Sequence, residues 1–364
     1  MSTPVELPRW ADVALAPLLT VVTAFAVSGL VVLAIGENPI EAMSLLFKGA
    51  LGSKAGWGYT LYYTTSFIFT GLAVAIAFQA GLFNIGGEGQ ATLGGLGIVL
   101  FCFSFEWLPG FLLVPLGVLG AALAGAAWAF IPGYLQARRG SHVVITTIMF
   151  NFIAATLMVY LLVNVMGRPG SMAPETRNIA DHAVAAPMNV FLGALGISFP
   201  RTPLNISFFL AILAAIAVWV LVWHTRLGYE IRVVGASPTA AVYAGISPAR
   251  ITMVTMAISG GLAGLLAVNE IMGLQHRLLL EFSAGAGFVG IAVALMGRAH
   301  PLGVVLAAFL FGVLYQGGAE LSFDKPAITK DMIVVIQGFV ILFAGALEFA
   351  FKRPLARLFR IREA

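Results

Sequence analysis

The stretch Gly81–Gln90, GLFNIGGEGQ, sets an amide, a carboxylate and a second amide (Asn84, Glu88 and Gln90) among four glycines, Gly81, Gly86, Gly87 and Gly89. Together these side chains offer several hydrogen-bond donors and acceptors and a single negative charge. The glycines are poor helix formers and mark a helix break. The polar groups suit either of two tasks: a site on the path of a hydroxyl-rich solute, or a plug whose side chains satisfy backbone groups freed by the break. A second constellation is SPTAAVYAG, Ser237–Gly245. Ser237 is a good N-cap, Pro238 fits a first helical turn and Gly245 fits the position after the last. This predicts about two turns, roughly 10 Å long, with Ala240, Ala241 and Ala244 as a small face, Tyr243 as the one aromatic, and Gly228, Arg232 and Gly235 upstream. Such a helix serves either as a knob for a partner's groove or as an amphipathic connector.

Catalytic chemistry is not in view. The sequence holds no GxxxxGK[ST], no HExxH and no GxSxG. One GxGxxG occurs at Gly285–Gly290, but it follows EFSA rather than a strand and opens an apolar run, so the dinucleotide-binding context is missing. The single cysteine, Cys102, excludes an intrachain disulfide and a Cys-cluster zinc site. No metal, cofactor or catalytic residue is expected. The acids do not form the intramembrane chain that a proton pump needs.

The elements that must position these residues are membrane spans. The 364-residue chain is 60% hydrophobic and 10% charged, far below the charge of soluble domains, and its apolar runs are long enough to cross roughly 30 Å of hydrocarbon. Its 41 glycines suit close helix packing in lipid. Hydropathy predicts an all-α integral membrane protein with ten spans, at 11–35, 58–81, 89–106, 110–134, 143–165, 205–224, 251–271, 283–297, 302–317 and 331–351. The eighth and ninth are short and are expected to be broken or re-entrant. The run after Arg9 has no small-residue cleavage site and reads as the first span rather than a leader. With the N-terminus inside, the inner segments carry 12 basic residues (Arg9, Arg138, Arg139, Arg226, Arg232, Arg250, Arg298, Lys352, Arg353, Arg357, Arg360 and Arg362) against 8 outside (Lys48, Lys54, Arg168, Arg177, Arg201, Arg277, Lys325 and Lys330). This predicts both termini in the cytoplasm. One transmembrane domain, 1–364, follows, with a cytoplasmic segment at about 225–250 and an extracytoplasmic loop at about 166–204. That loop either caps the outer mouth or meets a partner, or simply connects two spans. The net charge of +4 lies mostly at membrane edges, with no basic–aromatic patch for nucleic acid. FNIGGEG (Phe83–Gly89) and FSAGAG (Phe282–Gly287) echo one another weakly, as an inverted repeat of five plus five spans would produce. Chance similarity is the alternative.

Four segments in order resemble known permeases. TRLGYEIRVVGASPTAAVYAGI resembles the cytoplasmic coupling segment of permeases in the branched-chain amino acid, ribose and nucleoside class of ABC importers. GLFNIGGEGQATLGG resembles the signature of the nucleoside and simple-sugar branch. Val144–Ala154, VITTIMFNFIA, and Gly287–Gly312, GFVGIAVALMGRAHPLGVVLAAFLFG, resemble two further segments of that branch. The matches cover about residues 60 to 350. The chain departs from the branch's pattern at His142 and Val143, where a Glu is frequent, at Ala299 and Ser237, where Asn is usual. The resemblance implies a permease subunit in the bacterial inner membrane, surrounded by lipid. It would pair with a second permease (homo- or heterodimeric), ABC ATPase subunits and an extracytoplasmic solute-binding protein. It also places Asn151 beside Asn84, Glu88 and Gln90 on the substrate path. Arg232, Gly235, Ser237, Pro238, Ala240, Ala241, Tyr243 and Gly245 become the ATPase-coupling residues. Nucleosides are the favoured cargo, with simple sugars next. An ion-coupled secondary transporter is the competing class and a membrane-embedded enzyme the third.

Overall fold

The structure is a computed structural model that describes residues 15–326, together with Pro8, Ile328, Thr329, 332–339 and Leu342. Arg9, most of the tenth expected span and the basic tail Lys352–Arg362 lie outside the described residues. Among the described residues the fold is helical, with two isolated bridges, Glu175 with Leu279 and Pro187 with Asn205. The helices are α1 (Ala16–Ala34), α2 (Pro39–Leu51), α3 (Lys54–Gln79), α4 (Gly87–Ser104), α5 (Gly110–Arg139), α6 (Val143–Asn164), α7 (Met188–Ala194), α8 (Ser207–His224), α9 (Arg226–Ala236), α10 (Pro238–Tyr243), α11 (Pro248–Gly264), α12 (Ala286–Met296) and α13 (Pro301–Asp324). A π-helical stretch, Val268–Gln275, continues α11.

Six helical segments of the described residues are long and apolar enough to cross a membrane, or seven if α1 and α2, bent by 117° at their junction, count as one span. The chain is thus a multi-pass membrane protein. The ten-span expectation is not reached by these lengths. The polar first turn of α4 dilutes its hydropathy, and α12 has only 11 residues. The ninth span, expected to be short, is instead the 24-residue α13. Its helix runs on past the apolar stretch because Gln316 donates to Glu320 one turn later at 3.0 Å, which keeps the polar end helical. Helix α2 lies between the first two expected spans. Asn38 caps it by accepting from Ile40 N at 3.0 Å, and Pro39 follows.

The chain falls into two compact units, Met1–Gly56 with Val313–Ala364, and Trp57–Gly312. In the first, Val32, Ala42, Leu321, Ile328, Ile333 and Ile336 form the core, and Lys325 bridges Glu37 and Glu41 at 3.2 and 3.1 Å. The second unit carries the residues singled out above. Its centre is α4, α5 and α11, whose backbones approach through glycines. A Cβ on Gly94 would stand 2.6 Å from Gly264 Cα, and one on Gly125 would stand 3.0 Å from the same atom. Helices without a hydrophobic driving force between them gain their cohesion from such close van der Waals contact. Gly125→Leu is expected to push α5 from α11 and destabilise the fold by about 3 kcal/mol. Leu123→Ala, at an exposed position on α5, should change little, and thermal unfolding of the two purified variants checks the contrast.

Candidate functional site

Helix α3 ends in a Schellman motif. Gly81 sits at φ +69°, Gly81 N donates to Phe78 O and Leu82 N to Ala77 O, both at 3.0 Å. The chain then runs open through Leu82–Gly86 until α4 begins at Gly87. The break therefore occupies Ala80–Gly86. Of the four glycines expected there, Gly81 and Gly86 belong to it, whereas Gly87 and Gly89 lie in the first turn of α4. Their smallness serves packing: a Cβ on Gly87 would be 3.0 Å from Gly287 O, and one on Gly89 would be 3.0 Å from Asn151 Cα.

Polar side chains absorb the freed backbone. Asn84 is fully buried and all four of its hydrogen-bonding positions are filled. Nδ2 donates to Gln90 Oε1 at 2.9 Å and Ser259 Oγ at 2.8 Å. Oδ1 accepts from Gly86 N at 2.9 Å and Gln90 Nε2 at 3.0 Å. Asn151 donates to Ile85 O and accepts from Gly89 N, both at 2.9 Å. Thr147 Oγ1 accepts from Ile85 N at 3.4 Å. Ser259 passes its own proton to Ala73 O at 2.6 Å. The break is thus pinned to α6 through Thr147 and Asn151, and to α11 through Ser259.

Glu88 turns the other way. Its carboxylate accepts from Ser283 Oγ at 2.5 Å, Gly285 N at 3.1 Å and Gly287 N at 2.9 Å. It lies in the first turn of α4 and also meets the opening amides of α12, so two helix N-termini favour its charge. Beside it an open cleft of ≈ 410 Å³ lies within the size range of small-molecule sites. Glu88 and Thr92 of α4, Asn151, Phe152 and Met158 of α6, and Glu281, Ser283 and Phe288 line it in part. Of the four path candidates, Glu88 and Asn151 reach the cleft. Asn84 and Gln90 lie outside its lining, spent on one another. Thr92, Glu281, Ser283 and Phe288 were not singled out from the sequence. The two echoing segments meet through Glu88.

The cleft wall at Leu280–Gly285 is conformationally costly. Glu281 and Ala284 have φ of 54° and 46°, and His276, at the end of the π-helical stretch, has 56°. Left-handed backbone at a residue with a Cβ costs roughly 1–2 kcal/mol. The same stretch is tied to the long loop after α6: Thr176 N donates to Leu278 O at 3.1 Å, Leu278 N donates to Thr176 Oγ1 at 3.1 Å, and Arg277 pairs with Glu175 at 3.0 Å. That loop is itself anchored where Arg177 pairs with Glu106 at 2.7 Å and covers the Phe103 ring at 4.1 Å. The guanidinium's hydrogen bonds hold the Glu106 carboxyl below the usual range.

The segment after α8 folds as two capped helices, α9 and α10. Thr225 caps α9 by accepting from Gly228 N at 3.1 Å, Ser237 caps α10 by accepting from Ala240 N at 3.2 Å, and Gly245 follows α10 at φ +74°. The small face expected on α10 is divided. Ala240 and Ala244 are exposed, but Ala241 is 0% exposed, packed in a core with Ala77, Leu82, Val143, Ile231, Val234, Ile251 and Met256. With 3.6 residues per turn, one face of so short a helix must rest on the protein. Pro238 and Val242 are exposed, and Tyr243 is 90% exposed. Gly235 lies against the end of α3, where an added Cβ would be 3.0 Å from Ala80 C; Gly81, across this contact, would place one 3.4 Å from Gly235 Cα. Arg232 Nε is buried without a hydrogen-bond partner.

Asn84→Leu should leave Gln90, Ser259 and Gly86 N with unmet hydrogen-bonding groups and destabilise the protein by about 2 kcal/mol. Asn84→Asp, which turns the Nδ2 donor into an acceptor facing Gln90 Oε1 and Ser259 Oγ and buries a charge, is expected to lose more. Unfolding temperatures of the purified variants test the order.

Residues 57–345 match the family described as branched-chain amino acid transport system / permease component. The glucose ABC transporter permease protein TsgB13 of Haloferax volcanii is 36% identical over 93% of this chain and 88% of its own length. The nucleoside ABC transporter permease protein NupB of Lactococcus lactis is 34% identical over 96% of both chains. The guanosine ABC transporter permease protein NupP of Bacillus subtilis is 35% identical over 94% of this chain and 96% of its own. No solved structure gives a significant match. These relatives are transport proteins, not enzymes, and the extent of the match to residues 57–345 makes this chain a member of the branched-chain amino acid transport system permease component family.

Proposed function

We propose that this chain is the membrane-spanning permease subunit of an ABC importer, moving a nucleoside or a simple sugar into the cytoplasm with ATP hydrolysed by a separate subunit. The observation that carries the reading is similarity along nearly the whole chain to permeases named for nucleosides, guanosine and glucose. The cleft beside Glu88 and Asn151 is consistent with it. Its aromatic and aliphatic walls suit the face of a base or a sugar ring, and its few polar groups suit hydroxyls. Asn84 and Gln90 support the path from beneath, as the clamp that keeps Glu88 and Asn151 in place.

In this reading residues 1–364 act as one transmembrane permease domain in a bacterial inner membrane, with both termini in the cytoplasm and the loop at about 166–204 outside. The 12-to-8 division of basic residues supports that orientation. A solute-binding protein docks on the outer side, a second permease completes the membrane unit, and an ABC ATPase takes the cytoplasmic side. Arg232, Gly235, Ser237, Pro238, Ala240, Ala241, Tyr243 and Gly245 form the coupling segment with divided roles. The exposed Pro238, Ala240 and Tyr243 meet the ATPase. Ala241 seats the helix on the core, and Gly235 brings it against the α3 break.

Proteoliposomes holding the chain with its ATPase, second permease and binding protein should take up a labelled nucleoside or sugar only with ATP. Uptake driven by an ion gradient without ATP would sink the reading. Tyr243→Ala should weaken retention of the ATPase by about 2 kcal/mol, roughly 30-fold, if the ring is an anchor of the contact. Ala241→Glu would instead bury a carboxylate in the core and unfold the segment, so it does not probe docking. For orientation, a Cys at the fully exposed Met172, in a Cys102→Ser background, should react with an impermeant maleimide from outside intact cells; reaction only after lysis would reverse the topology.

A further inference from the structure

The stretch from His276 to Gly285 is held at both ends by parts of the protein with different tasks. At one end the loop after α6 grips it. Glu175 and Leu279 form an antiparallel bridge, Thr176 and Leu278 exchange two hydrogen bonds at 3.1 Å, and Ile179 N donates to His276 O at 2.8 Å. At the other end Glu88 draws Ser283, Gly285 and Gly287 onto the first turn of α4. The backbone enters the left-handed region at Glu281, between the two ties, and at Ala284, within the second, a region that residues with a Cβ occupy only when their surroundings impose it. The same residues form one wall of the cleft.

We infer that His276–Gly285 is a strap that forms a movable wall of the cleft, with Glu88 as its latch and the 175–179 segment as the lever that moves it. Glu88 is then a positioning residue: it acts on cargo by holding the wall. The left-handed residues make the latched form the strained one, so release of the three bonds to Glu88 lets the wall swing without breaking a regular helix. Because the lever belongs to the long loop after α6, a force applied to that loop reaches the cleft through a backbone ladder rather than through diffuse packing. The inference rests on the importer reading only in taking the cleft as the cargo path.

Two measurements test it. The first is a reversible lock. Residues facing each other across an antiparallel bridge are close enough for a disulfide, so Glu175→Cys with Leu279→Cys in a Cys102→Ser chain can tie the strap to its lever. In the reconstituted complex, using whichever of guanosine or glucose the unmodified complex takes up, the oxidised and reduced forms should transport at the same rate, because strap and lever move as one, with ATPase retention unchanged. Uptake slowed about tenfold by oxidation, which would mean that the two must part, or no cross-link at all, overturns the lever. The second measurement needs no cargo. In Glu88→Ala, hydrogen exchange at the amides of Gly285 and Gly287 should quicken about tenfold or more, while α5 and α11 stay protected. Unchanged exchange at those two amides overturns the latch. If the unmodified complex moves neither solute, the importer reading is what falls, and the exchange measurement still decides the strap.

Discussion

A backbone that leaves its helix in apolar surroundings must find a partner for every freed N–H and C=O, and this requirement organises the site. Seven residues, Ala80–Gly86, run between α3 and α4 without helical bonds along most of their length. Water cannot serve them within hydrocarbon, so only protein groups can. Asn84 from the break itself and Thr147 and Asn151 from α6 are those groups, and Ser259 of α11 holds Asn84 in place. The break is consequently a junction: satisfying it forces α6 and α11 to stand where their polar side chains can reach. The close glycine contacts among α4, α5 and α11 follow, because side chains with bulk would hold the helices too far apart for those bonds.

The junction has two neighbours of opposite kind. On one side, Gly235 of α9 rests on the last turn of α3 and on Gly81. No side chain intervenes, so displacement of one backbone must be accommodated by the other. On the other side, Glu88 begins α4 and gathers the opening amides of α12. A carboxylate shared between two helix N-termini is favoured by both dipoles, and it makes the separation of those helices depend on one side chain. The α9–α10 segment, the break and the cleft wall are thus successive contacts along a short length of α3 and α4.

Helix α10 shows how a short helix can be both anchored and presented. Six residues are too few for a self-supporting helix in water. Ser237 supplies the cap, and Ala241 supplies the buried side chain that fastens α10 to Ile231, Val234 and Met256. What remains outward, Tyr243 above all, is held in place by that fastening.

Much of this was legible from residue types alone. Long apolar runs fixed the helical, membrane-spanning class, because only closed hydrogen bonding survives in lipid. Local chemistry announced the end of α3 at Gly81 and the caps of α10, since capping is decided within a few residues. The ordered motifs carried the family. Tertiary structure alone decided which polar groups face the cleft and which face each other. Asn84 and Gln90 have the same chemistry as Asn151, and only the approach of α6 and α11 determines that the first two lie away from the cleft while the third, itself bonded to Ile85 O and Gly89 N, lines it. Ala241 could not be told from Ala240, because which side of a two-turn helix meets the protein depends on residues such as Ala77 and Val143 far away in sequence. The partnership of Glu88 with Ser283, Gly285 and Gly287 spans nearly two hundred residues, and contacts of that separation are set by how whole helices pack, which no local pattern contains.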